Sequence, residues 1–378
     1  MKVACIYFPI SSVGGIASEA RAYKLAAIEA GDTFDVIRCP DSIQMKTPNI
    51  YPVPQLQRGG DTFISVDGEC SHHYKHVGKT CRWLENNYDA LFIIHPCPHP
   101  TKAYGQMPRW MPIYENCKLP KAVKFMDAYV STYKWIIPAL EFADHIYVNQ
   151  PAYQLSLEAV GITRSVLRPK PFHAISRTPL PKNETRLTVW PNQWKDIKGI
   201  KPFMEQVPEI AKVSDIELYS NGIRYYQIRK DDPDLWNRCI SQDHFKDETF
   251  EGPANFYGYV TPYEMTKVFQ RAWCSVNLQG LSARVKHSYY REGSYNNTEV
   301  EALYWGAWPI VAEQVLKSPI PSECLIPISD STKLAEAIEI SVDQPLAGSA
   351  EGAIAREWVE DVHGAGILWS QITDDLRG

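Results

Sequence analysis

Lysines beside a glycine at the start of a helical pattern are suited to holding phosphates. The segment VWPNQWKDIKGIKPF places Lys195, Lys198 and Gly199 in that setting, directly after a short apolar run. An ammonium group and the unsatisfied N–H groups of a helix start can together neutralise the charge that develops on a departing diphosphate. A solvated basic turn fits the same residues.

A second segment, SYNNTEVEALYWGAWPIVAE, sets a helix start near Asn297 and Thr298, with Glu299 and Glu301 expected in the first turn and Gly306 before the next buried strand. Amides at such a start suit a phosphate, and a carboxylate just inside the helix can accept hydrogen bonds from ribose hydroxyls. Acidic residues there are also favoured by the helix dipole alone. Near the N-terminus, Gly14 and Gly15 separate an apolar run from a helix whose first turn includes Ser18 and Glu19. Glycines in that place let the backbone approach a ligand closely, although the pattern is not GxGxxG and a plain tight turn explains it equally.

Three further groups carry possible chemistry. Arg284, Lys286, His287 and Arg291 alternate with Tyr289 and Tyr290; basic groups can follow phosphates while aromatic rings stack on a base, so this segment is the expected acceptor contact for a nucleic acid. A solvated or diphosphate-gripping loop explains the same residues. His95 and His99 close the run IIHPCPHP, where a structural role competes with a place in an acceptor site. Cys70, His72, His73, His76 and Cys81 are zinc-binding residue types, but their spacing fits no standard site, and the expectation is no metal.

The elements that must position these residues follow from the apolar runs. KVACIYF, FDVIRC, YDALFIIH, AVKFMD and HIYVNQ are of strand length and alternate with helical stretches; RLTVW, IELYSN, NFYGYV, CSVNLQ and WPIVAE repeat that grammar later. Strands alternating with helices predict parallel sheets covered on both faces, hence an α/β chain of two Rossmann-like domains facing across a cleft. At 378 residues the chain has material for two cores. The expected boundaries are residues 1–170 for the first domain, 171–186 for a proline-rich linker, 187–355 for the second domain, and 356–378 for terminal helices that cross back. The stretch from Pro40 to about Lys79 has no clear period and reads as a surface excursion.

No apolar run is long enough to span a bilayer, and no signal-peptide pattern follows the first strand. Nine scattered cysteines without a CxxC pair suit reduced thiols and a cytoplasmic setting, that of the host if the chain is phage-encoded. The net charge of −5 gives no general pull toward nucleic acid, leaving only a local basic channel.

Taken in order, IKGIKPFMEQVPEI, FYGYVTPYEMTKVFQRAWCSVN and TEVEALYWGAWPIVAE resemble the KG-plus-helix, f-G-x-v and EA-x-x-x-G-x-P-v-v segments of the GT-B retaining glycosyltransferases with an E-x7-E donor motif, a family 4-like group. LSARVKHSYYREGSYNNTEVEALYWGAWPIV, and more faintly AVKFMDAYVSTYK with ADHIYVNQ, resembles the branch of that family that glucosylates hydroxymethylated cytosine in phage DNA.

The resemblance implies a UDP-sugar-dependent hexosyl- or pentosyltransferase that needs no cofactor, with double-stranded DNA as acceptor. A glycan, lipid-linked or small-molecule acceptor, or an inactive nucleotide-sugar binding protein, are the alternatives. It further implies that Glu301 binds the donor ribose, that Lys198 and nearby amides hold the diphosphate, that Tyr257, Gly258 and Tyr259 up to Val260 frame the nucleobase, and that Asp127 is the catalytic carboxylate facing the acceptor. Gln193 stands where the family has an arginine, so Lys195 is expected to supply that charge. Gly293 lies at the first glutamate's spacing from Glu301, Asn296 occupies the shorter motif spacing of the phage-type branch, and Glu292 could substitute only if the loop carries one extra residue.

Overall fold

The structure is a computed structural model, and it describes residues 1–7, 15–38, 64–65, 77–94, 111–125, 136–174, 179–192, 198–219, 254–257, 262–279, 281, 295–341 and 343–378. In chain order the first part contains β1 (Lys2–Tyr7), α1 (Gly15–Glu29), β2 (Thr33–Arg38), β3 (Ile64–Ser65), α2 (Val77–Asn87), β4 (Ala90–Ile94), α3 (Met111–Asn116), β5 (Lys121–Phe125), α4 (Ile136–Glu141), β6 (His145–Val148), α5 (Pro151–Glu158) and β7 (Ser165–Leu167). The second contains β8 (Leu187–Trp190), α6 (Ile200–Ile210), β9 (Asp215–Leu218), β10 (Asn255–Phe256), α7 (Pro262–Arg271), β11 (Cys274–Asn277), α8 (Asn297–Trp305), β12 (Trp308–Ala312), β13 (Ile326–Ile328), α9 (Leu334–Ser341), α10 (Ala350–His363) and α11 (Ala365–Arg377).

Among the described residues the strands form two sheets, ordered β3-β2-β1-β4-β5-β6-β7 and β10-β9-β8-β11-β12-β13, with every pairing parallel. Strands such as ALFII of β4 and LTVW of β8 are buried along their whole length, as parallel strands covered on both faces must be. In both sheets the winding reverses between the first and fourth strands in chain order: β1 beside β4, and β8 beside β11. Ligands of open α/β sheets bind at the carboxyl ends of strands at such a reversal.

The chain divides into two units, Met1–His173 with His363–Gly378, and Ala174–Val362. The last helix returns to the first unit because its apolar face completes that core. Trp369 is fully buried and stands edge-on to Phe34 with ring centroids 5.3 Å apart, while its indole N–H donates to Asp32 at 2.9 Å. Asp375 of the same helix accepts from Tyr147 Oη at 3.0 Å and pairs with Arg168 at 3.1 Å. Helix α10, expected to leave with that crossing segment, stays with the second unit. Its Ala355 and Val359 are buried there, Arg356 lies over the Tyr304 ring at 5.2 Å and Trp358 meets Tyr295 at 6.2 Å.

Two strands fell where no apolar alternation marked them. β7 lies in the stretch beginning ITRSVLRP and pairs with β6; it is short, and its Val166 is exposed. β3 belongs to the expected excursion and pairs with β2 through two residues.

Helix α6 follows the 3.6-residue pattern, burying Ile200, Phe203, Met204, Val207 and Ile210 against the second sheet. A lysine closes the far ends of two helices in the same unit: Lys182 Nζ donates to the carbonyls of Phe269 at 3.0 Å, Ala272 at 2.8 Å and Trp305 at 2.7 Å. Those are the carbonyls left without partners at the ends of α7 and α8, where a cation is favoured. Lys182→Met strands all three, and is expected to lower the unfolding free energy of the second unit by ~3 kcal/mol, measured by urea denaturation.

Candidate functional site

The second sheet's reversal point brings Lys198 to the start of α8, two of the sequence-predicted donor groups. β8 ends at Trp190, and after Asn192 the described chain resumes at Lys198; β11 ends at Asn277 and continues to Gln279. Asn192 ties the two strand ends together, its side-chain amide donating to the Val276 carbonyl at 3.0 Å. Gly199 adopts φ of 78°, a left-handed conformation that glycine tolerates without strain. Its α-carbon lies so close to β11's exit that an added Cβ would sit 2.6 Å from the Leu278 carbonyl oxygen.

This close approach sets Lys198 among side chains far away in sequence. Its ammonium donates to Gln279 Oε1 at 2.6 Å and Asn296 Oδ1 at 3.1 Å. Asn296 is the extended residue that caps α8, so the lysine stands at that helix's N-terminus, where the dipole and the unsatisfied amides of Asn297 and Thr298 favour an anion. Asn297 Oδ1 is buried there without a hydrogen-bond partner among the described residues.

The two glutamates of this helix do different work. Glu299 is at the third helical position, and its carboxylate accepts from the Asn296 backbone N–H at 2.9 Å, from Thr298 Oγ1 at 3.1 Å and from Asn277 Nδ2. It is buried and serves the helix start, the alternative that the sequence left open. Because the cap is Asn296, Glu301 falls in the second turn rather than the first. Glu301 is half-buried, meets no hydrogen-bond or ionic partner among the described residues, and has its carboxyl pushed up to about 7 by burial. It is the carboxylate of this helix that can still accept hydroxyl groups.

Tyr257 follows β10 and stacks on Tyr219, with ring centroids 5.1 Å apart at 12°. Tyr219 donates to Glu217 Oε2 at 2.5 Å, and Arg271 pairs with the same carboxylate at 3.3 Å. The phenols of Tyr219 and Tyr257 are both raised, first by burial and then by that carboxylate. A flat aromatic face held by a fixed anion suits a planar ligand.

In the first unit, Gly15 opens α1. Further along that helix Glu19 is fully buried and accepts from Asn149 Nδ2 at 3.1 Å, and its pKa is raised by burial against the opposing pull of Lys124. Lys124 donates to Tyr23 Oη at 3.1 Å, to the Pro169 carbonyl at 2.8 Å and to the Arg168 carbonyl; burial holds its pKa down to about 8.

Asp127, Gly14, Lys195, Gly258, Tyr259, His95, Arg284, Lys286 and Arg291 lie outside the described residues, as do Cys70, His72, His73 and His76. Cys81 is buried in α2 with a thiol raised to about 11, mainly by burial. Among the described residues no group of three or more His, Cys, Asp or Glu side chains could hold a metal ion, and no helix is long and apolar enough to cross a membrane.

The sequence reading missed Asn277, Gln279, Tyr219 and Glu217. The first two were signalled by CSVNLQ, where polar residues two apart close an otherwise apolar run; Glu217 is likewise a polar interruption in a buried strand.

No protein-family model matches the sequence, and no curated protein matches it. Solved structures do. An alpha-glucosyltransferase in complex with UDP and a 13-mer DNA containing an HMU base is similar at 13% identity and a TM-score of 0.67, over 100% of this chain and 99% of that one. The Anabaena HepE in complex with UDP and glucose is similar at 11% identity and a TM-score of 0.64, over 100% and 99%. A mutant of S. aureus TarM in complex with fondaparinux, alpha-GlcNAc-glycerol and UDP is similar at 10% identity and a TM-score of 0.67, over 100% of both chains. Two doubly wound parallel sheets in succession, a last helix that returns to the first unit, and this end-to-end likeness give the chain the GT-B fold.

Proposed function

We propose that this chain is a retaining glycosyltransferase that moves a sugar from a UDP-sugar to a hydroxyl acceptor, with a hydroxymethylated pyrimidine in DNA as the acceptor. The observation that carries the donor half is the meeting of Lys198 with the N-terminus of α8, the helix that carries Glu301, beside the β8–β11 reversal. Support comes from similar structures that hold UDP.

On this reading the ribose hydroxyls donate to Glu301 and the base lies toward Tyr257. Lys198, the α8 amides and Lys195 take the charge of the departing diphosphate as the sugar C1–O bond breaks. The acceptor oxygen bonds to C1 on the same face, and its proton passes to a donor phosphate oxygen or to Asp127. The DNA half is supported by Arg284, Lys286 and Arg291 among tyrosines, and by the similar enzyme in complex with HMU-containing DNA.

The experiment is UDP release from a panel of UDP-sugars (glucose, N-acetylated hexoses and a pentose), with and without hydroxymethylated duplex DNA. DNA-stimulated release with a matching mass gain on the DNA is the expected result. Release indifferent to DNA would move the acceptor to a glycan or small molecule, and binding without any turnover would make the chain a nucleotide-sugar binder.

Glu301 gives this reading a pH signature. Burial pushes its carboxyl up to about 7, and only the ionised form accepts from both ribose hydroxyls. Donor kcat/KM is therefore expected to fall as the pH drops through 7 and to level off ~10-fold lower once the carboxyl is protonated. UDP-glucose is the right substrate, since its diphosphate does not titrate there. Glu301→Gln should flatten the profile and raise the donor KM ~10-fold; a wild-type profile flat from pH 5.5 to 8 would remove Glu301 from the ribose.

A further inference from the structure

Lys198 can serve a diphosphate only if its flexible side chain is held, and the structure contains a device that does so. Gln279, 5% exposed, accepts from Lys198 at 2.6 Å and, through the same Oε1, from Asn296 Nδ2 at 3.2 Å. Its own backbone is fixed on both sides: the N–H donates to Asn277 Oδ1 at 3.2 Å, and the carbonyl accepts from Gln314 Nε2 at 2.8 Å. Asn277 in turn donates to Glu299, whose carboxylate accepts from the backbone N–H of the cap residue Asn296. The lysine, the end of β11 and the start of α8 thus belong to one hydrogen-bonded network.

We propose that Gln279 and Asn296 are positioning residues that aim the Lys198 ammonium at the donor diphosphate, an inference that rests on the UDP-sugar reading above. Their chemistry suits the task. Amide oxygens accept from an ammonium group without cancelling its charge, so the two contacts restrict the lysine's rotamers and leave its electrostatic pull on the phosphates in place. The network also explains how Asn296, at the position where a shortened donor motif would carry its first acid, contributes: it caps the helix and orients the cation.

The test is a double-mutant cycle on the full chain, with UDP and uridine affinities measured by calorimetry. Gln279→Met keeps the volume and removes the acceptor. It is expected to weaken UDP ~10-fold and leave uridine within ~2-fold, because only the diphosphate meets the lysine. In a Lys198→Met background the same substitution should change UDP affinity by less than ~2-fold. Asn296→Ser, which retains a capping hydroxyl but does not reach Lys198, should repeat the pattern and covers the case in which Gln279→Met fails to fold. Unchanged UDP affinity in both variants, or an equal loss with and without Lys198, overturns the proposal and leaves the donor reading standing. A wild-type chain that binds no UDP overturns both.

Discussion

Gly199→Ala is expected to weaken the second unit by ~3 kcal/mol and to cut donor turnover about 100-fold. The residue's φ of 78° costs an L side chain ~1–2 kcal/mol. The added Cβ would also lie 2.6 Å from both the Cβ and the carbonyl oxygen of Leu278, which is fully buried at the end of β11. Backbone, not a flexible tip, has to move. The movement separates the Lys198 loop from Gln279 and Asn296, and displacing a charge-stabilising group by about 1 Å costs on the order of 100-fold.

Gly306→Ala is the matched control. Gly306 has φ of 73° and would place a Cβ 2.3 Å from that of Ala347, but it ends α8 ~15 Å from the capping residue. Both variants should show similar urea midpoints. Equal turnover per folded molecule in the two would reduce the role of Gly199 to stability alone.

The other large effect belongs to Lys198 itself. Lys198→Met should lower kcat for UDP-sugar cleavage by about 100- to 1,000-fold, the range seen when one preorganised donor to a developing negative charge is removed. The KM for the donor should rise less than kcat falls, because the diphosphate carries more charge while leaving than while bound. Lys198→Arg should recover only part of the loss, since a planar guanidinium cannot reproduce a compact ammonium held at 2.6 and 3.1 Å from two amide oxygens. Single-turnover UDP release separates the chemical step from product dissociation. A Lys198→Met rate within about threefold of wild type would take the lysine out of the leaving-group site.

Much of this is legible in the order of the amino acids. Continuous apolar runs of strand length, such as ALFII and LTVW, indicate parallel strands because a strand covered on both faces has no polar side to alternate. The pairing of Lys198 with Gly199 at a helix start is of a kind suited to phosphates, and Glu301 stands out once the family resemblance is drawn. The two short strands β3 and β7 do not show, because pairing segments of two and three residues leave no period to read.

What the sequence by itself determined was therefore the class of fold, the two-part organisation and the residue types able to hold a nucleotide sugar. Tertiary structure decided which of them act together. Lys198 and Gln279 are 81 residues apart, and they meet because β8 and β11 are neighbours at the reversal of the sheet while a glycine lets their exits touch. Glu299 and Glu301 are indistinguishable as letters. The position of the helix cap separates them, turning one carboxylate inward to the orphan N–H of Asn296 and leaving the other, two residues on, without a partner among the described residues. Local sequence sets what each side chain can do; which hydrogen bonds remain unmade, and hence what is left for a ligand, depends on contacts that only the folded chain makes.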